Sequence, residues 1–168
     1  TANPKTAGDK IGSASKRIAE SNEGKKLEKT PVRVWIDNMG KNVNSEFPEY
    51  GMIMNADASE IFFTSRRPTT TGGGKDEYNG GWYEDIYTSK RTKKEWSTAV
   101  NVGDPINTKG HDASVSLSAD GSKMIIYIDD KGDGNLYESM RKGDTWSKPK
   151  KMSNEVCSPY WESSAWYS

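Results

Sequence analysis

The sequence predicts an all-β chain, and three observations lead there. The 168 residues include 6 Trp, 8 Tyr and 3 Phe, but only three Leu against 16 Gly. A helical bundle needs Leu-rich stripes at 3.6-residue spacing, so the core must be aromatic and β-branched instead. From Pro31 onward, short apolar or alternating runs are separated by Gly, Asn, Asp and Pro, the punctuation of strands and tight turns. The runs also repeat. Asn42-Val43-Asn44-Ser45 returns as Pro105-Ile106-Asn107-Thr108, and Asn55-Ala56-Asp57-Ala58-Ser59 returns as Ser118-Ala119-Asp120-Gly121-Ser122, both after 63 positions.

Residues 1–30 hold 7 basic and 4 acidic side chains with few large apolar ones, and read as a tail or linker. Ile11, Ile18, Ala19 and Leu27 could line a weak helix over residues 13–29, interrupted by Gly24. Residues 31–168 form the repeat region. Val32–Ile36 reads as a fourth strand with no first three before it, expected to close a ring by pairing with residues outside this chain.

Two full units follow, each of four strands. The first strand is residues 50–54 or 113–117, the second 60–65 or 123–128, the third 83–89 or 135–140, and the fourth 95–100 or 145–150. In their second halves the units align at an offset of 50, as in Asp85-Ile86-Tyr87 with Asn135-Leu136-Tyr137 and Trp96-Ser97 with Trp146-Ser147. The 13-residue difference falls in one loop, Arg66 to Tyr83. A third copy starts at Glu155 and reaches a first strand at residues 162–166. Four short antiparallel strands at a period of 40 to 50 predict a β-propeller, here two complete blades, a ring-closing strand and the start of a third. Closed propellers have 4 to 8 blades, so the pattern reads as part of a longer ring with apolar faces left uncovered. Ala58 stands where the second copy has Gly121, which predicts a changed or mildly strained turn.

Asn44-Ser45 leading to Glu49-Tyr50, Asn55-Ala56-Asp57, the run from Phe62 to Arg67, Glu84-Asp85-Ile86-Tyr87 and Leu117-Ser118-Ala119-Asp120-Gly121 together resemble TolB-like, WD-repeat-like propeller blades. The resemblance covers residues 31–168 and is to Bacteroidetes cell-envelope proteins that combine a tetratricopeptide (TPR) region, a propeller and an OmpA-like domain. It implies an exported, periplasmic, outer-membrane-associated scaffold, similar to an envelope component of the type IX secretion system. The tail would then be the end of a TPR region. The implied partners are envelope proteins, and peptidoglycan through a domain outside this chain.

Composition bounds the chemistry. With 24 basic and 24 acidic residues the net charge is zero, which points to no nucleic-acid partner, and no apolar run approaches the roughly 20 residues of a membrane-spanning helix. One Cys and one His allow neither an internal disulfide nor a zinc cluster, and no cofactor motif is present. Glu49, Asp112 and Glu162 recur at one blade position, so they are assigned to bonding backbone or hydroxyl groups of a neighbouring strand rather than to acid–base catalysis. Tyr87, Tyr137, Trp96, Trp146, Ser89 and Ser139 are assigned to packing by the same recurrence. Asp129, Asp130, Asp133 and Asn135 lie around Gly132 and Gly134, but Lys131 occupies a ligand slot of the calcium-loop pattern, so this reads as a polar hairpin. Gly72-Gly73-Gly74 lacks the flanks of a phosphate loop and reads as a flexible stretch.

The insertion remains. It carries Arg66, Arg67, Trp82 and Tyr83, and loops of this length are often functional. In a blade it emerges on the same face as the connection carrying Lys109 and His111. These six are the candidate partner-binding residues, with no catalytic residue and no metal assigned. The expected function is a non-enzymatic scaffold. The alternative is the propeller of a hydrolase, either sialidase-like, which the partial Asp-box of residues 55–62 suggests, or a propeller-gated peptidase.

Overall fold

Two apolar runs, one in each repeat, become the central strands of two antiparallel sheets. The computed structural model describes residues 4–130 and 133–167. In chain order the elements are α1 (Pro4–Leu27), β1 (Glu49–Met54), β2 (Glu60–Ser65), β3 (Asp85–Thr92), β4 (Glu95–Trp96), β5 (Val100–Asn101), β6 (Asp112–Leu117), β7 (Lys123–Asp130), β8 (Asp133–Lys142), β9 (Thr145–Trp146) and β10 (Lys150–Lys151). The chain divides into two units, Thr1–Asp37 and Asn38–Ser168.

In the first unit α1 is longer than the sequence suggests, running unbroken through Gly12 and Gly24. Pro4 suits the first helical position, where an N–H is not needed, and Lys25 and Lys26 in the last turn complement the helix dipole. Pro31, which cannot continue a helix, lies just beyond. Val32–Ile36 is not a strand: it has no regular structure, and Val32, Val34, Trp35 and Ile36 are exposed. Strand propensity needs a partner for its backbone groups, and none is present among the described residues.

In the second unit one sheet is ordered β1-β2-β3 with β4 and β5 both on β3, and the other β6-β7-β8 with β9 and β10 both on β8. Each fourth strand is therefore split in two. The split recurs at Ser97 and Ser147, whose carbonyls accept from the hydroxyls of Ser89 and Ser139, each at 2.6 Å. First strands are bulged at equivalent places, between Tyr50 and Ile53 and between Ser114 and Ser116. Gly51, at φ +60°, allows the Ser114 hydroxyl to donate to its carbonyl at 2.7 Å. The third copy's residues 162–166 form no strand, because no second strand pairs with them among the described residues. They nevertheless keep the repeat's backbone bond: Glu162 N–H donates to Gly134 C=O at 3.1 Å, as Asp112 N–H does to Glu84 C=O at 2.8 Å.

Alternation along β2 and β7 sends side chains both ways. Phe62 enters a core between the sheets with Ile53, Ile86, Ile106, Leu117, Met124, Ile126 and Trp146. Ile61 and Phe63 face outward with Tyr87, under Met39 and Val43, while Ile125 and Leu136 face outward under Met152, Cys157, Ala165 and Tyr167. The outer faces expected to lie bare are thus covered by residues of the linking segments. Packing is head to tail: Phe62 and Ile86 of the first sheet meet Met124 and Ile126 of the second, whose own counterparts of Phe62 and Ile86, Ile125 and Leu136, look away. No closed barrel or ring of sheets forms among the described residues.

The turn at Ala58 keeps the conformation of its glycine counterpart, with φ +55° beside +70° at Gly121. Left-handed backbone costs a non-glycine residue about 1 kcal/mol, partly offset by the greater freedom glycine has when unfolded. Ala58→Gly is therefore expected to raise stability by roughly 0.5 kcal/mol, read as a higher denaturation midpoint. An unchanged or lower midpoint would show the alanine turn to be relaxed.

Candidate functional site

Each acid at the repeated slot clamps its own loop, and Glu49 also bonds the neighbouring strand as expected, the Ser65 hydroxyl donating to its Oε1 at 3.4 Å. Thr108 N–H and hydroxyl donate to Asp112 Oδ2 at 2.6 and 2.9 Å. Ser45 does the same to Glu49 Oε1 and Ser158 to Glu162 Oε1. This clamp sets the connection that carries Lys109 and His111 at the start of β6.

The insertion is a folded loop. Thr70 and Thr71 bring a hydroxyl, an N–H and a second hydroxyl to the buried Asp85 carboxylate at 3.0, 2.6 and 2.7 Å, and Asn101 Nδ2 adds a bond at 2.6 Å. Thr69 meets the Tyr87 hydroxyl at 2.9 Å. Further out, Lys75 bridges Trp82 in a miniature hairpin, closed by bonds between Asp76 N–H and Gly81 C=O and between Gly80 N–H and Asp76 C=O, each 2.8 Å. The glycine stretch is a close approach: a Cβ on Gly72 would lie 2.7 Å from Lys109 O and 2.9 Å from its Cα.

Glu84 is the centre of the face. Arg66 Nε and Nη2 donate to its Oε1 at 3.1 and 2.8 Å, and the Tyr50 hydroxyl donates to the same oxygen. His111 Nδ1 lies 2.7 Å from Oε2, and its Nε2 is 3.6 Å from Asp76 Oδ2. The Tyr83 ring packs edge-on to the imidazole at 4.8 Å. Burial alone would raise the Glu84 pKa, but the hydrogen bonds from Tyr50 and Arg66 and the charges of Arg66 and His111 hold it below the usual carboxylate range. Burial, then the Glu84 contact, pushes the Tyr50 hydroxyl well above its ordinary value. Beside this cluster is a cleft of about 530 Å³ walled by Phe47, Pro48, Trp82 and Arg66. The Lys75 ammonium sits 4.7 Å from the centre of the Trp82 ring.

Of the six sequence candidates, the structure thus gathers Arg66, Tyr83 and His111 around one carboxylate and sets Trp82 on the adjoining cleft. Lys109 lies beneath Gly72 and lines a second cleft with Thr71 and Lys148. Arg67 is elsewhere. Its Nη2 reaches Val43 O at 2.6 Å and Glu49 Oε1 at 2.8 Å, its Nε donates to Ser65 Oγ at 3.1 Å, and its guanidinium covers Phe63 and Tyr87.

Sequence reasoning missed Tyr50, Asp76 and Glu84. The available signal was departure from the repeat: the counterpart of Glu84 is Gly134, and Asp76 lies within the insertion. Of the suspected acidic hairpin, Lys131 and Gly132 lie outside the described residues, while β7 and β8 pair up to Asp130 with Asp133. Among the described residues, no three His, Cys, Asp or Glu side chains group as metal ligands, and no helix is long and apolar enough to cross a membrane. Comparison with protein-family models, curated proteins and solved structures finds no match.

Proposed function

We propose that the chain is a non-enzymatic binding module, a run of propeller blades whose loop-bearing face takes a protein partner in the bacterial cell envelope. Head-to-tail packing of the two repeats supports the propeller. Heterologous interfaces repeat until they close into a ring or run on as an open stack, and four-stranded blades are the unit that closes. The envelope, its peptidoglycan-associated partners and a place in type IX secretion rest on the resemblance to TolB-like envelope proteins.

The observation that carries partner binding is the cleft between Phe47-Pro48 and Trp82, with the Arg66 guanidinium in its wall. It exists only because one repeat has an insertion that the other folds without. Trp and Arg at the edge of an open cleft are the residue types that gain most from burial against a partner. Immobilised wild-type chain is expected to retain a partner from solubilised envelope that an Arg66→Ala/Trp82→Ala variant, still folded and melting cooperatively a few degrees lower, does not. Equal retention by both would move the site off this face.

A further inference from the structure

The balanced total charge conceals a segregated one. The end of β3, its turn and the start of β4 hold Lys90, Arg91, Lys93 and Lys94 against Glu95, and the chain from the end of β8 to β10 holds Arg141, Lys142, Lys148, Lys150 and Lys151 against Asp144. Counting Glu60, which Arg141 bonds, that is nine basic residues against three acidic ones, a local +6 in a chain whose total is zero. The two turns occupy equivalent places in the repeat and stand together. Lys90 Nζ lies 3.8 Å from Asp144 Oδ1 of the other sheet, and Arg141 bonds Glu60 across the same gap.

Two details define the partner. Arg141 is taken up by Glu60 and lies 5.5 Å from the Trp146 ring centre, Arg91 lies 5.8 Å from that of Trp96, and the other seven basic side chains are lysines, so most of the charge facing solvent is lysine charge. Lysine is a point charge without the guanidinium fork, which suits a diffuse anionic surface better than one defined phosphate or carboxylate. The same two Trp rings lie under guanidinium groups, so they offer no platform for stacking bases. Lysines on sheet edges also deter edge-to-edge pairing, which accounts for Lys150 and Lys151 on β10. It does not account for Lys93, Lys94 and Lys142, which lie at the turn ends of the hairpins. Clusters of four to eight such residues are what anionic lipids attract.

We propose that this edge is an electrostatic docking surface for an anionic lipid bilayer. The test is flotation of the full chain with vesicles of phosphatidylglycerol and phosphatidylcholine, against phosphatidylcholine alone. Lys93→Gln/Lys94→Gln/Lys142→Gln should lower partitioning on the order of 100-fold, about fivefold for each lysine. Lys25→Gln/Lys26→Gln/Lys29→Gln, which removes equal charge from the end of α1 and the turn beyond it, should leave it near wild type. Added salt should weaken wild-type binding steeply, a readout that needs no variant. Indifference to anionic vesicles, equal binding to neutral ones, equal loss in the helix variant, or preference for duplex DNA at the same salt would each overturn the proposal.

Discussion

Replacing Arg67 with alanine is expected to destabilise the β unit by about 3 kcal/mol, the low end of the cost of breaking a buried ion pair. The side chain is 14% exposed and its partner Glu49 is 12% exposed. Alanine would leave that carboxylate with only the Ser45 and Ser65 donors, strand Val43 C=O, and uncover the faces of Phe63 and Tyr87. The Glu49 pKa would rise with it. Burial already pushes that carboxyl up, and the Ser45 and Arg67 hydrogen bonds and the Arg67 charge hold it down. Arg66→Ala should cost nearer 1 kcal/mol, because the Arg66 pair is more open to solvent. Denaturant midpoints of the two variants measure the contrast. If Arg67→Ala keeps its midpoint and loses partner retention, Arg67 belongs to the binding face after all.

That contrast was legible in the sequence through strand period. Phe63, Ser65 and Arg67 share one face of β2 and its extension, and Phe62, Thr64 and Arg66 the other, so adjacent arginines had to diverge. Reading the insertion by composition grouped them. The four-strand units were legible because a repeat supplies two copies of every turn and bulge. Val32–Ile36 and residues 162–166 have strand-like patterns and are not strands, since a pattern states which face is apolar and not whether a partner exists. The length of α1 was hidden for the converse reason. Ile11, Ile18 and Leu27 define no narrow stripe and remain exposed, so periodicity had little to detect. Glu84 and Asp76, which organise the candidate site, recur nowhere in the repeat and could be found only as departures from it.

The same face folds tightly enough to alter the consequence of removing it. A second-blade-like short hairpin in place of the insertion looks inexpensive by chain length alone. The structure makes it costly, because Thr70 and Thr71 are the chief donors to the fully buried Asp85. Losing them leaves a buried carboxylate with Asn101 alone. Side-chain exchange at Arg66 and Trp82 is therefore the cleaner probe of binding, and it leaves the Asp85 anchor in place.

Stability is expected to fall as pH rises from about 5 to about 7, and Asp112 is the cause. Its side chain is fully buried, and its Oδ1 has no hydrogen-bond partner among the described residues. Burial pushes the carboxyl up from 3.8 to about 7; the Thr108 bonds oppose this, and the nearby charges of Asp85 and Asp129 add to it. The folded chain then holds a proton that the unfolded chain releases near 3.8, so each step up in pH through that window favours unfolding. At about 1.36 kcal/mol per tenfold change in proton affinity, the full loss is at most about 4 kcal/mol. Glu49, Glu84 and Asp120 act in the opposite sense, because their folded pKa values are depressed. Their contribution is complete above the ordinary carboxylate range and disappears as pH falls through the depressed values. Together these place the stability maximum near about pH 5. Asp112→Asn keeps a carbonyl oxygen for Thr108 and removes the titration. It should flatten the profile between about pH 5 and 8 and exceed wild type by several kcal/mol at the upper end. Urea denaturation across that range decides it, and repeating the series in a His111→Gln background separates Asp112 from the imidazole beside Glu84. A wild-type profile that is flat or rising through this window, or an unchanged slope in Asp112→Asn, would mean the carboxyl finds a proton donor or solvent that its buried position does not suggest.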